Sequence, residues 1–168
     1  SLIGWYALRE RLHGADGARL FVTGIKGWRV RQEVEKLARE HDIVVIDSPP
    51  HAETEAKIAV RSAGLAVVPV QPSPMDVWAS RPTLALAAAE KVPALLVLNR
   101  VPPRARLTEA MLAEIAGLGV PVAKTRIGNR VIFASSLAEG RAVGESQPGG
   151  KAAREMAALA REVLRHVP

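Results

Sequence analysis

Residues 42–51 read Asp-Ile-Val-Val-Ile-Asp-Ser-Pro-Pro-His, and the fold follows from how this stretch is read. Ile43, Val44, Val45 and Ile46 are too few for a helix of their own and too uniformly apolar for a strand with one wet face. They fit a strand buried on both faces, as strands of a parallel sheet are. Asp47 comes next, so a carboxylate sits where the strand gives way to its loop, the edge at which open α/β sheets bind ligands. Pro49 and Pro50 then fix two φ angles and remove two backbone donors, so the strand cannot continue and the loop is stiff.

An acid in that position has two readings. It can hold Mg²⁺ beside nucleotide phosphates, as the acid of a Walker B segment does. It can equally cap the next turn or helix, a common use of Asp in α/β proteins.

Working outward, residues 18–23 read as a short strand and 30–41 as a helix with Val34 and Leu37 facing inward. Residues 52–63 form a helix that Gly64 ends, and 65–70 a strand that runs into Gln71-Pro72-Ser73-Pro74. A long Ala- and Leu-rich helix over 75–91, a strand over 94–99 and a helix over 108–118 closed by Gly119 continue the alternation. Residues 120–123 are a candidate strand, 126–139 a mixed loop and short-helix region, 142–150 a loop, and 151–166 the last helix. Ahead of all this, Leu2, Trp5, Leu8 and Leu12 make an amphipathic helix over 1–13, with Arg9, Glu10 and Arg11 turned away and Gly14 stopping it. Alternating strands and helices imply right-handed crossovers, hence a three-layer α/β fold with a mostly parallel twisted sheet and helices on both faces. Residues 1–168 are expected to form one domain.

The chain has no cysteine, which removes disulfides and thiolate metal sites and agrees with a reducing cytoplasm. No apolar run approaches the roughly 18 residues needed to span a bilayer. A net charge of +6, carried mostly by arginine, favours polyanions such as nucleic acid. Aromatic residues make up only 4% of the chain, so a base-stacking platform for single strands is not expected. His13, His41, His51 and His166 do not converge at ligand spacing, and Ser48 lacks the glycines of a nucleophile elbow. The last helix places Ala152, Met156, Leu159, Ala160 and Val163 on one side and Arg154, Glu155, Arg161, Glu162 and Arg165 largely on the other. An Ala-rich face without Trp or Phe suits packing against the domain better than a membrane surface.

Four stretches together resemble the ParA family of partition ATPases, in the ParA/MinD group of deviant-Walker P-loop NTPases: residues 44–50, 67–74 (Val-Val-Pro-Val-Gln-Pro-Ser-Pro), 95–101 (Leu-Leu-Val-Leu-Asn-Arg-Val) and 127–140. The resemblance implies that Asp47 is the catalytic Walker B acid at the Mg²⁺ site and that Ser48 sits in the switch sensing the γ-phosphate. It makes Asn99 the residue that hydrogen-bonds adenine, with Gly128 and Asn129 in the loop walling the base. An amide suits that task, offering a donor and an acceptor together; alone, Asn99 could instead cap the turn before Pro102 and Pro103. By the same resemblance Arg126, Arg130 and Arg141 fall where such proteins contact DNA, although each could be part of a solvated basic face. The implied ligands are ATP or ADP with Mg²⁺. The implied partners are non-specific DNA, a second copy in an ATP-dependent homodimer, and an activating ParB-like or adaptor protein. The implied location is the cytoplasm, on the nucleoid, without membrane attachment.

One departure stands out. The family's Lys-Gly-Gly-x-Gly-Lys-Thr loop, whose amides and lysines cradle phosphate, is absent from the 168 residues. Gly14-Ala-Asp-Gly-Ala-Arg19 and Gly24-Ile-Lys-Gly27 have the wrong residues or spacing and read as turns. By the resemblance, Ser1 is the end of an Asp-Pro-Gln-Gly-Ser segment that precedes a helix like 2–12 in the family, so the sequence starts about where that segment finishes, without the family's first strand. Two consequences are expected: an apolar strand edge beside residues 43–46 open to another chain, and weak or no MgATP binding by these residues alone. The alternative function is a catalytically silent module that binds DNA or a protein partner.

Overall fold

The computed structural model describes residues 2–18, 20–25, 27–47, 53–103 and 106–167. Its centre is a parallel pair of strands, β1 (Ala66–Val70) and β2 (Ala94–Leu98), in register from Ala66 opposite Ala94 to Val70 opposite Leu98. Helix α4 (Pro74–Ala89) makes the crossover between them. It starts one residue before the expected position 75: Ser73 accepts from the Asp76 N–H at 3.3 Å and Pro74 occupies the first helical position. Its buried stripe is Val77, Ser80, Leu84 and Ala87, one face of a helix by spacing.

Residues 121–128 extend the sheet beyond β2. Leu96 donates its N–H to Pro121 and accepts from Ala123, while Ile127 donates to Leu98 and Val101 to Ile127. These bonds occupy the even-numbered side of β2, so the odd-numbered side faces β1, as the bond from Asn99 to Val70 O confirms. On β1, Ala66 and Val70 likewise point at β2, so Pro69 turns its nitrogen to the free edge, where no ladder bond is lost.

Side chains alternate into two cores, one per face. Val68, Val70, Leu96 and Leu98 pack with Val77 and Leu84 of α4 and with Ile115 of α5 (Arg106–Ala116). Leu95, Val97, Ala123 and Ile127 pack on the opposite face with Phe133 of α6 (Val131–Ala138) and with Leu159 and Val163 of α8 (Lys151–Leu164). Three layers with helices on both faces result, as expected.

The N-terminal third differs from expectation. Helix α1 (Leu2–Ala18) is broken at Gly14, whose φ of 71° fits its reading as a stop. Helices α2 (Val30–Glu40) and α3 (Glu53–Arg61) form as expected. Residues 20–25 and 43–47 form neither helix nor strand, and among the described residues neither joins the sheet. Ile43 and Val45 are 57% and 79% exposed rather than buried on both faces. A strand is buried by its neighbours, and among the described residues these two segments have no ladder partner. What remains is an apolar slot of about 660 Å³ lined by Leu20, Val22, Val34, Leu37, Val44 and Ile46 among others.

Arg9 also departs from its expected outward position: it is only 5% exposed. Its guanidinium donates to both carboxylate oxygens of Glu145, at 2.6 and 2.7 Å, in α7 (Val143–Ser146), and to Gly140 O at 3.0 Å. Its carbon lies 5.5 Å from the centre of the Trp5 ring. Arg9 and the Ala142 N–H together hold the Glu145 carboxyl down at about 2.

Candidate nucleotide site

The carboxyl edge of β2 collects three of the expected site residues. Asn99 follows the last residue of β2 and its N–H is tied to Val70 O at 2.9 Å. Val101 donates to Ile127 O at 2.9 Å and accepts from the Asn129 N–H at 3.0 Å, so residues 98–101 and 127–129 run side by side. Asn99, Gly128 and Asn129 therefore share one rim. Asn99 Oδ1 accepts from the Arg100 N–H at 2.9 Å, so the capping role weighed from sequence is present. That bond leaves the second lone pair of Oδ1 and both amide protons to offer a ligand.

The loop is held from behind by α8. Glu155 accepts from the Gly128 N–H at 3.1 Å and from Arg130 Nε and Nη2 at 3.1 and 2.6 Å. Arg130, expected on the DNA face, is thus committed to a two-point ion pair within the protein, its side chain 29% exposed. Its hydrogen bonds draw the Glu155 carboxyl below the ordinary carboxylate range against the opposing effect of burial, and the Gly128 N–H adds to the shift. A Cβ on Gly128 would come within 2.8 Å of Arg130 Nη2, so a side chain there forces the guanidinium aside. Seven residues on, Glu162 accepts from the Lys124 and Thr125 N–H groups at 2.6 and 2.9 Å. Both acids were expected on the solvent side of α8. Their signal was present, because 155 and 162 share one helical face with the partly buried Leu159 and Val163.

Asp47 is exposed at the end of the 43–47 segment and lines the apolar slot, a lining in which Asn99, Gly128 and Asn129 take no part. Ser48 lies outside the described residues. Among the described residues no three potential ligands group around a metal position. Asp47 alone fits Mg²⁺ that arrives with phosphates and keeps its waters, which needs only one or two protein carboxylates. Arg126 and Arg141 are exposed on segments flanking α6. No helix among the described residues is long and apolar enough to cross a membrane.

A parallel sheet sandwiched by helices defines an open-sheet α/β protein, a class of fold whose ligands bind at the carboxyl edge of the strands. No protein-family model matches the chain. It is 35% identical over 137 residues to the Maintenance of carboxysome distribution protein A of Halothiobacillus neapolitanus, a match covering 77% of this chain and 63% of that protein. The chain thus spans less than two-thirds of that relative. The crystal structure of the Pyrococcus furiosus cell division ATPase MinD superposes with a TM-score of 0.69 at 19% identity, over 94% of this chain and 75% of that one. The sequence match and the shared fold agree with the resemblance to ParA/MinD-type proteins.

Proposed function

We propose that this chain is the adenine-binding and metal-binding body of a ParA-like ATPase that positions a cargo. The observation carrying the reading is the convergence of Asn99, Gly128 and Asn129 on one rim at the carboxyl edge of β2. There the Asn99 amide would pair with the base edge, the flat Gly128 backbone would let the base lie close, and Asn129 would wall it. Asp47 is the acid that would hold Mg²⁺, which when bound neutralises charge on the transferring phosphoryl group. Ser48, by the resemblance, would sense the γ-phosphate. Met75 and Trp78, exposed in the first turns of α4 at the same end of β1, give an ATP-dependent homodimer an apolar patch to cover. Arg126 and Arg141 remain available for non-specific DNA phosphates on the nucleoid. The cargo would be a chromosome, a plasmid or a protein assembly, and a ParB-like or adaptor protein would stimulate slow hydrolysis.

Calorimetric titration with MgATP tests this on the 168-residue chain and on a form extended upstream through a Gly-rich phosphate loop. Binding by the first that is weak, at or below the sensitivity of calorimetry yet visible as amide shifts, and clear binding by the second, lost in Asp47→Asn, supports the proposal. If neither form binds, the alternative takes its place: a silent module that binds DNA or a protein through Arg126 and Arg141.

A further inference from the structure

The loop that would wall the base has no helix or ladder bond of its own over residues 124–126; two carboxylates of α8 hold it. Glu155 takes Gly128 and Arg130, and Glu162 takes Lys124 and Thr125, each acid sharing its two oxygens among backbone or guanidinium donors. On the opposite side Val101 fixes the same loop through Ile127 and Asn129. The loop is therefore clamped between β2 and α8, with Gly128 and Asn129 beside Asn99. We infer that Glu155 and Glu162 are positioning residues for base selection, setting the 124–130 loop at the depth where it discriminates the base that Asn99 contacts. The inference rests on the proposed base site. Discrimination between bases by hydrogen bonding depends on placement to within about 0.5 Å, which a bare loop does not supply and a clamped one does. Glu rather than Gln is required for a chemical reason. A carboxylate offers two acceptor oxygens to the three N–H groups around Glu155, whereas a glutamine offers one and turns its own N–H₂ toward the Arg130 guanidinium.

The test is a set of ¹⁵N-resolved titrations of the 168-residue chain with MgATP and MgGTP, each variant's melting curve recorded alongside. The variants are Glu155→Gln, Glu162→Gln, Asn99→Ala and, as a control, Arg61→Ala, which breaks an exposed ion pair with Glu90. The expected result is an ATP:GTP affinity ratio that falls about tenfold in Glu155→Gln, the loss of roughly one charge-assisted hydrogen bond. Glu162→Gln should lower the same ratio, and it supplies the test if Glu155→Gln melts at the working temperature. Arg61→Ala should leave the ratio unchanged whatever it does to stability, which separates positioning from general loosening. A ratio lost in Asn99→Ala but kept in both glutamine variants overturns the inference and leaves the base site standing. A wild-type ratio near one, no binding of either nucleotide, or a ratio indifferent to Asn99→Ala overturns the base site, and the inference with it.

Discussion

Helix α1 should be held to the body chiefly by Arg9, and replacing its partner Glu145 should partly release it. Arg9 is 5% exposed and its guanidinium is satisfied by Glu145, Gly140 O and the face of Trp5. Hydrogen bonds to charged groups contribute about 1.5–3 kcal/mol. Glu145 is 45% exposed, however, so water can replace part of what Arg9 loses, and about 1–2 kcal/mol is the expected cost of Glu145→Ala. At about 2–4 °C per kcal/mol for a domain of this size, the melting temperature should fall by about 2–8 °C. The Glu145 carboxyl, held at about 2 chiefly by the Arg9 hydrogen bonds, lies below its ordinary value of 4.5. Its contribution is therefore fully present above pH 4.5 and lost as pH falls toward 2. Urea melts at pH 7 and pH 3 on the wild type, Arg9→Met, Glu145→Gln and the double variant measure the coupling. A coupling near 1–2 kcal/mol at pH 7 that shrinks at pH 3 is expected. A coupling below about 0.3 kcal/mol, or one indifferent to pH, refutes this view of α1.

Other outcomes follow from the same structure. Leu96→Ala, at 1% exposure between α4 and α5, should cost about 2–5 kcal/mol in a denaturant melt, and a loss under 1 would mean the sheet relaxes around the void. Val45→Lys, at a position 79% exposed beside the open slot, should change stability by no more than about 0.5 kcal/mol while suppressing concentration-dependent self-association in light scattering. Gly140→Ala should destabilise, since φ is +64° and the new Cβ would meet the Arg9 backbone at 3.0 Å; an unchanged melt would show that α1 shifts freely. In DNA binding, Arg126→Ala and Arg141→Ala should each lower the salt slope by about 1, whereas Arg130→Ala, already paired with Glu155, should leave it unchanged.

What could be read from sequence follows the range of the forces involved. The long helix after β1, the break at Gly14 and the parallel β1–β2 crossover are written in local chemistry and periodicity, and the structure has them. The pairing of residues 20–25 and 43–47 was not legible, because apolar β-branched residues specify a strand but not the neighbour that must cover it. Asn99, Gly128 and Asn129 were found as motif residues, and only the Val101 bridge brings them to one rim. Arg9, Glu155 and Glu162 were misplaced for one shared reason. A charged residue on a helix reads as solvent-facing until its partner is known, and the Arg9 partner lies 136 residues away.

The most direct single measurement is an amide-resolved titration of the chain with MgATP, followed at Asp47, Asn99, Gly128 and Asn129. Weak binding with shifts concentrated at these four positions, and those at Asn99 abolished when GTP replaces ATP, is expected. Shifts spread over α1 and α2 with the β2 rim silent would contradict the adenine site and the function built on it.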